Sequence, residues 1–204
     1  MRVLYIESSP RKDRSHSIKL AKAFLKEFKQ KNPNAEIDLL DLWKEPLPPF
    51  NGDTVNAKYA VIHQQNPTDA QKNAWDVVKK IAHRFTSADK YVFSVPMWNF
   101  HIPYPLKHYI DVITQPGLTF VTENSGYKGL VSGKPAIIFY ASGGSYPKGT
   151  PGESFDFQKP YMRVWLQFVG FTDIRELADE GTLGAGGGKG AALIEEAVKM
   201  AGKF

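Results

Sequence analysis

The chain contains no cysteine. That absence removes disulfides, thiolate nucleophiles, iron–sulfur clusters and cysteine-ligated zinc in one step. Nor is there an apolar run approaching the roughly 20 residues that a membrane-spanning helix needs. The first apolar segment, Val3-Leu4-Tyr5-Ile6, meets Glu7 at once and is too short for the core of a secretory signal. Neither the GxGxxG spacing of dinucleotide folds nor the GxxxxGKS/T spacing of a P-loop occurs after the first strand. No paired carboxylates stand at a defined spacing, and no Ser/His/Asp arrangement can be defended. His101 and His108 are seven apart without a third ligand at metal spacing, and His63 and His83 fall on surface faces of helices. The expectation is a cytoplasmic protein without a membrane span, a metal site or catalytic side chains of its own.

What is present is the composition of a folded protein: 204 residues, 42% hydrophobic and 23% charged, enough to bury the core of one domain spanning residues 1–204. The net charge of +5 is unevenly placed. Residues 1–31 hold nine Lys/Arg against three Asp/Glu, and the remainder holds 17 against 18. Lys19, Lys22, Lys26 and Lys29 suit one solvated helix face, whereas the basic first loop could attract a phosphate-bearing ligand. No signature of nucleic-acid binding accompanies the charge.

Hydrophobic periodicity divides the chain into alternating strands and helices. Arg2–Glu7, Glu36–Asp41, Tyr91–Val95, Ala136–Ala141 and Thr172–Leu177 read as strands. The third and fourth are continuous apolar runs of the kind that parallel sheets bury on both faces. Helices are expected over Ser15–Gln30, Asp53–Gln65, Thr68–Phe85, Pro105–Ile113, Met162–Val169 and Ala191–Ala201. In the first of these Ile18, Ala21, Leu25 and Phe28 recur at helical spacing. Strand–helix alternation of this kind implies a doubly wound five-stranded parallel sheet with helices on both faces. The glycine-rich stretch from Gly184 to Gly190 follows no strand directly and reads as a flexible lead-in to the last helix rather than a nucleotide cradle.

Three loops then fall beyond the carboxyl ends of three strands, where such sheets hold ligands. The first is Ser8-Ser9-Pro10-Arg11-Lys12-Asp13-Arg14-Ser15-His16-Ser17. Hydroxyls and free backbone N–H groups at a helix start bind phosphate; Ser15 would also serve as an N-cap. The second is Pro96-Met97-Trp98-Asn99-Phe100, a proline, an asparagine and two large aromatics that suit a flat ring, a flavin first among candidates. The third is Ala141-Ser142-Gly143-Gly144-Ser145, whose paired glycines let backbone approach a ligand. Each signal is weak alone, and their shared position is the specific one.

Taken in order, SSPRKDRSHS, PMWNFHIPYPLKHYIDVI, GLTF at 117–120, GLVSGKPAIIF at 129–139, ASGG and FVGFTDI at 168–174 give the chain a resemblance, nearly end to end, to the flavodoxin-like, FMN-dependent NADH:quinone oxidoreductases and azoreductases. The resemblance implies that Ser9, Ser15, His16 and Ser17 hold the FMN phosphate. It implies that Pro96, Met97, Trp98, Asn99 and Phe100 lie against the ring, and that Ala141, Ser142, Gly143 and Gly144 contact its edge. It further implies a homodimer and a flavin that carries electrons from NADH or NADPH to a quinone or azo substrate. Backbone N–H groups near Asn99 and Gly143–Gly144 would stabilise charge on the reduced ring. Phe120, Tyr127, Tyr146, Phe155 and Phe157 are candidate walls for a flat substrate. Three departures stand out: Trp98 where the family often has Tyr, Ala141 where it often has a hydroxyl, and a longer Tyr146–Gln158 segment that could lid the substrate pocket. The rival readings are a flavodoxin-type electron carrier, which would usually be acidic, and a phosphate-ester hydrolase.

Overall fold

The structure, a computed structural model, describes residues 1–63, 65–124, 126–184 and 189–204. Four residues of the glycine-rich stretch, 185–188, lie outside the described residues, as does the role expected of them.

In chain order the elements are β1 (Arg2–Glu7), α1 (His16–Lys31), β2 (Glu36–Asp41), α2 (Gly52–Ile62), α3 (Asp69–Thr86), β3 (Lys90–Pro96), α4 (Tyr104–Ile113), β4 (Phe120–Glu123), β5 (Gly126–Gly129), β6 (Ala136–Ala141), α5 (Gln158–Val169), β7 (Ile174–Asp179) and α6 (Gly190–Ala201). β2, β1, β3, β6 and β7 form one all-parallel sheet in that order. This is the flavodoxin-like strand order, and it reverses direction between β1 and β3.

Side chains alternate across the pleat and divide the core in two. Val3, Tyr5, Val92, Ile137 and Phe139 pack under α1 and α6, against Phe24, Phe28 and Leu193. Leu4, Ile6, Phe93, Val95, Ile138 and Tyr140 pack under α3, α4 and α5, against Phe85, Leu106 and Trp165. Every residue of β6 is buried, which the apolar run Ala136–Ala141 requires of a strand covered on both faces.

Register aligns the carboxyl ends. Glu7 stands opposite Asp41 on one side and Ser94 on the other; Pro96 pairs with Ala141, and Ala141 with Asp179. The loops after these strands therefore start side by side.

Several boundaries move from the sequence reading, α2 ending at Ile62 rather than Gln65, and two of the shifts bear on the site. α5 begins at Gln158 rather than Met162, because Asp156 Oδ1 accepts the N–H groups of Gln158 and Lys159, both at 3.1 Å. The last strand runs Ile174–Asp179 rather than Thr172–Leu177, carrying Asp179 into register with Ala141. The antiparallel hairpin β4–β5 is an addition. Its Gly129 lies against the backbone of Val169 and Gly170 so closely that a Cβ there would come within 2.2 Å of main-chain atoms.

Candidate cofactor site

The three loops meet in one cleft. It is lined by Ser9, Arg11, Ser15 and His16 from the first loop, Pro96, Met97 and Trp98 from the second, and Ala141, Ser142 and Gly143 from the third. Nine residues singled out in the sequence are thus brought together. Ser17, Asn99, Phe100 and Gly144 adjoin the cleft in the same loops without lining it. A larger hollow of about 380 Å³ lies between α2 and α3, beside Asp53, Thr54 and Gln71, away from the strand ends.

The first loop presents an open helix start. Ser15 precedes α1 but makes no side-chain capping bond. Its Oγ lies 3.2 Å from Ser17 Oγ, and both hydroxyls are buried, as is Ser9. Among the described residues, the N–H groups of His16, Ser17 and Ile18 find no acceptor, so the first turn of α1 points unpaired donors and the positive end of its dipole into the cleft. The His16 ring is engaged elsewhere. Its Nδ1 lies 2.7 Å from the buried Asp179 Oδ2, at the end of β7. The backbone N–H of His16 is left for an anion.

The second loop is a strained hairpin turn. Trp98 N–H donates to His101 O at 2.8 Å and His101 N–H returns to Trp98 O at 2.9 Å. Between them Asn99 and Phe100 both have positive φ, 45° and 70°. Consecutive left-handed residues are the mark of a type I′ turn, normally Asn-Gly. Asn tolerates this conformation; Phe does so at a cost of about 1–2 kcal/mol. Strain of that size gathers at binding sites when the surroundings hold it. Here Phe157 N–H donates to Phe100 O at 3.0 Å, and the Phe100 ring packs on Phe155 with centroids 5.3 Å apart. The next N–H, of Ile102, donates to His101 Nδ1 at 2.8 Å. Burial, with Lys107 adding to it, lowers the His101 pKa and keeps that acceptor neutral. Asn99 and Phe100 N–H groups have no partner among the described residues.

The third loop is braced from β7. Gly181 N–H donates to Gly144 O at 2.9 Å, and Thr182 donates twice to Ser142 O, from N and Oγ1, each at 3.1 Å. A Cβ on Gly143 would come within 2.6 Å of Leu183, and one on Gly144 within 2.8 Å of the Tyr146 hydroxyl. The N–H groups of Gly143 and Gly144 are likewise unpaired among the described residues.

These features fit FMN. Buried hydroxyls and an open helix start suit its phosphate, and two pairs of free backbone N–H groups beside Met97 and Trp98 suit a flat, hydrogen-bond-accepting ring. Among the described residues no carboxylate lines the cleft and no cluster of metal-ligating residues occurs.

The remaining expected residues distribute differently. Tyr146 stands against Gly144 at the third loop. Phe120 and Tyr127 form a separate aromatic cluster with Phe168, centroids 4.8–5.7 Å apart, on the hairpin and α5. The Tyr146–Gln158 segment packs its Phe155 and the Phe157 amide on the Asn99–Phe100 turn. It is tied down by Lys159, which bridges Asp156 at 2.7 Å and Glu180. Burial disfavours the charge on Lys159, but hydrogen bonds to Asp156 and Glu180 outweigh it and raise its pKa. Sequence reasoning did not assign Arg11 and Thr182 to the site, yet both line the cleft. The rule that found the other loops, applied to the fifth strand, would have reached Thr182.

A family model described by its flavodoxin-like fold matches residues 1–203. An FMN-dependent NADH:quinone oxidoreductase of Desulfotalea psychrophila is 49% identical over 183 residues, covering 89% of this chain and 86% of the relative. The crystal structure of an azoreductase from Bacillus anthracis str. Sterne superposes with a TM-score of 0.90 at 32% identity over the full length of both chains. An FMN-dependent NADH-azoreductase from Bacillus anthracis str. Ames Ancestor, crystallised in complex with FMN, superposes with a TM-score of 0.87 at 26% identity, covering all of this chain and 97% of that one. With a whole-chain family match and a relative at this identity, the strand order and the three converging loops have their explanation: the chain belongs to the flavodoxin-like family of FMN-dependent NADH:quinone oxidoreductases and azoreductases.

Proposed function

We propose that residues 1–204 act as one FMN-binding domain of an FMN-dependent NADH:quinone oxidoreductase that also reduces aromatic azo compounds. The observation that carries this reading is the convergence of three loops, at the carboxyl ends of β1, β3 and β6, on one cleft rich in unpaired donors. The chemistry FMN supplies when bound is two-electron transfer from NADH or NADPH to a quinone or azo acceptor, with donor and acceptor using the same face in turn, a ping-pong order.

The protein's part is binding and orientation. The Ser9, Ser15 and Ser17 hydroxyls and the N–H groups of His16 and Ser17 hold the phosphate. Pro96, Met97, Trp98, Asn99 and Phe100 shelve the ring, and Ala141, Ser142, Gly143 and Gly144 border its edge. Donors aimed at the ring from the Asn99–Phe100 and Gly143–Gly144 amides favour negative charge there without any proton transfer by a side chain. Trp98 packs beside Trp43 and Tyr104 at 5.5 and 6.3 Å, which braces one side of the shelf.

Substrate selection belongs to aromatic residues beyond the shelf. Phe155 and Phe157 rim it from the same chain. Phe120 and Tyr127 lie on the hairpin, and we assign them to a homodimer in which one subunit's hairpin faces the other's shelf; exposed Tyr104, Tyr127 and Val164 supply apolar surface for that contact. No described helix is long and apolar enough to cross a membrane. We propose a cytoplasmic location for the enzyme on the absence of cysteine from its sequence.

Titration of the apoprotein with FMN, followed by anaerobic NADH oxidation with a quinone and separately with an azo dye, tests this. Tight FMN binding, NADH oxidation with both acceptors and parallel double-reciprocal plots are expected. An apoprotein that does not take up FMN sinks the cofactor assignment, and intersecting plots sink the ping-pong order. Light scattering in solution should give a dimer mass; a monomer mass removes the facing-hairpin arrangement.

A further inference from the structure

Register places Glu7 and Asp41 side by side at the carboxyl ends of β1 and β2, directly under the first loop. Both side chains are largely buried, 6% and 13% exposed. Two adjacent carboxylates beneath a loop that must accept a phosphate are an electrostatic liability, because like charges in a shielded site repel strongly. One side chain answers both. Lys12 Nζ lies 2.7 Å from Glu7 Oε1 and 2.6 Å from Asp41 Oδ1. To reach them, Lys12 takes a left-handed backbone with φ +49°, unusual for a residue with a long side chain. From that conformation its carbonyl accepts the N–H of Ser15 at 2.8 Å. Lys12 thus ties the sheet edge, through its ammonium, to the residue that opens the phosphate-facing helix, through its carbonyl.

The surroundings continue the network. Tyr5 OH donates to Ser94 Oγ at 3.1 Å and lies 3.3 Å from Glu7 Oε2, and Asp41 Oδ1 also accepts Trp43 N–H at 3.1 Å. Trp43 Nε1–H in turn donates to Ser8 O at 2.9 Å. Burial disfavours the charge on Lys12, but the hydrogen bonds to Asp41 and Glu7 prevail and raise its pKa, so the cation persists at neutral pH.

We propose that Lys12 is a positioning residue for the cofactor: its bridge to Glu7 and Asp41 holds the first loop in the form that receives the FMN phosphate. The inference rests on the FMN reading above and deepens it. Lys12 lies outside the cleft lining, so its effect passes through Ser15 and the loop rather than through contact with the ring. It should therefore bear on ligands that carry the phosphate and spare those that lack it.

Apoprotein variants titrated with FMN and with riboflavin, by quenching of flavin fluorescence, separate the possibilities. Wild type failing to bind FMN would defeat the cofactor reading itself, independently of Lys12. With wild type binding, Lys12→Met is expected to weaken FMN about tenfold, the ratio commonly produced by one lost interaction with a charged partner, and to leave riboflavin within about twofold. Lys12→Arg, whose fork can still bridge two carboxylates, should keep FMN affinity within a few-fold. Lys12→Gly accepts the left-handed backbone but cannot make the bridge, and should resemble Lys12→Met. Because Lys12→Met leaves two buried carboxylates uncompensated and could fail to fold, the double variant Glu7→Gln/Lys12→Met provides a second route. It removes one charge of each sign and so keeps the local balance, and it is expected to bind FMN as weakly as Lys12→Met would. Equal FMN affinity in wild type and Lys12→Gly, or in wild type and the double variant, overturns the proposal, as does a parallel loss of riboflavin affinity.

Discussion

Replacing Phe100 with alanine and with glycine isolates the strain in the ring-facing turn. Both substitutions delete the same Phe100–Phe155 contact, so that loss cancels between them. What remains is backbone. At φ +70° alanine keeps the left-handed penalty, about 1–2 kcal/mol, and glycine sheds it. Glycine gives back about 0.5–1 kcal/mol through its greater freedom in the unfolded chain. The net expectation is that Phe100→Gly is more stable than Phe100→Ala by about 0.5–1 kcal/mol. For a chain of this size that corresponds to a melting difference of about 1–4 °C. Urea unfolding and calorimetry of the two apoproteins measure it. The reciprocal Trp98–His101 bonds should hold the Asn99 and Phe100 amides in place in both variants, so their FMN affinities should agree within about twofold. A glycine variant no more stable than the alanine variant would refute the left-handed turn. A much weaker flavin complex in the glycine variant alone would refute its preorganisation by the Trp98–His101 pair.

The buried Tyr109 hydroxyl has no hydrogen-bond partner among the described residues. Tyr109→Phe removes that unpaired group and should stabilise the protein by about 1 kcal/mol in urea unfolding; a loss of stability would mean the hydroxyl is satisfied. His101, with a lowered pKa, is charged in the unfolded chain before it is charged in the fold. Stability tied to its neutral ring should be complete above the ordinary histidine value of about 6.5 and fall as pH drops below it. Riboflavin binding, free of the phosphate's own titration, should hold through the start of that fall and weaken only at lower pH, as the ring becomes charged in the fold, and His101→Asn, whose carboxamide oxygen can accept the Ile102 N–H at any pH, should flatten both profiles. Gly129→Ala would force a Cβ into the backbone of Val169 and Gly170; a destabilisation of about 1–3 kcal/mol or more is expected, with loss of the Phe120–Phe168 contact visible in aromatic side-chain spectra.

The parts of the fold that were legible in the sequence are those fixed by local pattern. The five segments read as strands became the five parallel strands, and the loops after three of them were identifiable because strand ends in such a sheet must converge. The hairpin β4–β5 was not legible. Its strands, Phe-Val-Thr-Glu and Gly-Tyr-Lys-Gly, are four residues each, and none of these residues is buried. What holds it lies far away in sequence: Phe168 against Phe120 and Tyr127, and the Gly129–Gly170 approach. The type I′ turn was hidden for another reason. Its usual signal is Asn-Gly, and here Phe occupies the second left-handed position because Phe155 and the Phe157 amide, more than fifty residues on, compensate the strain. Lys12, Glu7 and Asp41 come from three elements, and only the pairing of β1 with β2 makes them one group.

This division explains why the cofactor was easier to read than the substrate. Most donors in the cleft are backbone N–H groups, at a helix start, a turn and a glycine pair. Such donors leave marks in the sequence as serines before a helix, as an asparagine after a strand and as adjacent glycines, because those residues favour the local backbone geometry. Substrate contacts carry no such mark. A flat acceptor asks only for aromatic surface, which the chain has in many places, and Phe120, Phe155 and Phe157 are alike in sequence while standing in different parts of the structure. What separates them is position: Phe155 is joined to the ring-facing turn through Phe100, whereas Phe120 is joined to the hairpin through Phe168. Phe155→Ala should therefore change the KM for quinones even in a monomeric enzyme, and Phe120→Ala should do so only if a second subunit carries it to the shelf. Acceptor kinetics of the two variants, measured beside their solution mass, would separate these roles; an equal effect of both in a monomer would refute the assignment of the hairpin to the neighbouring subunit's site.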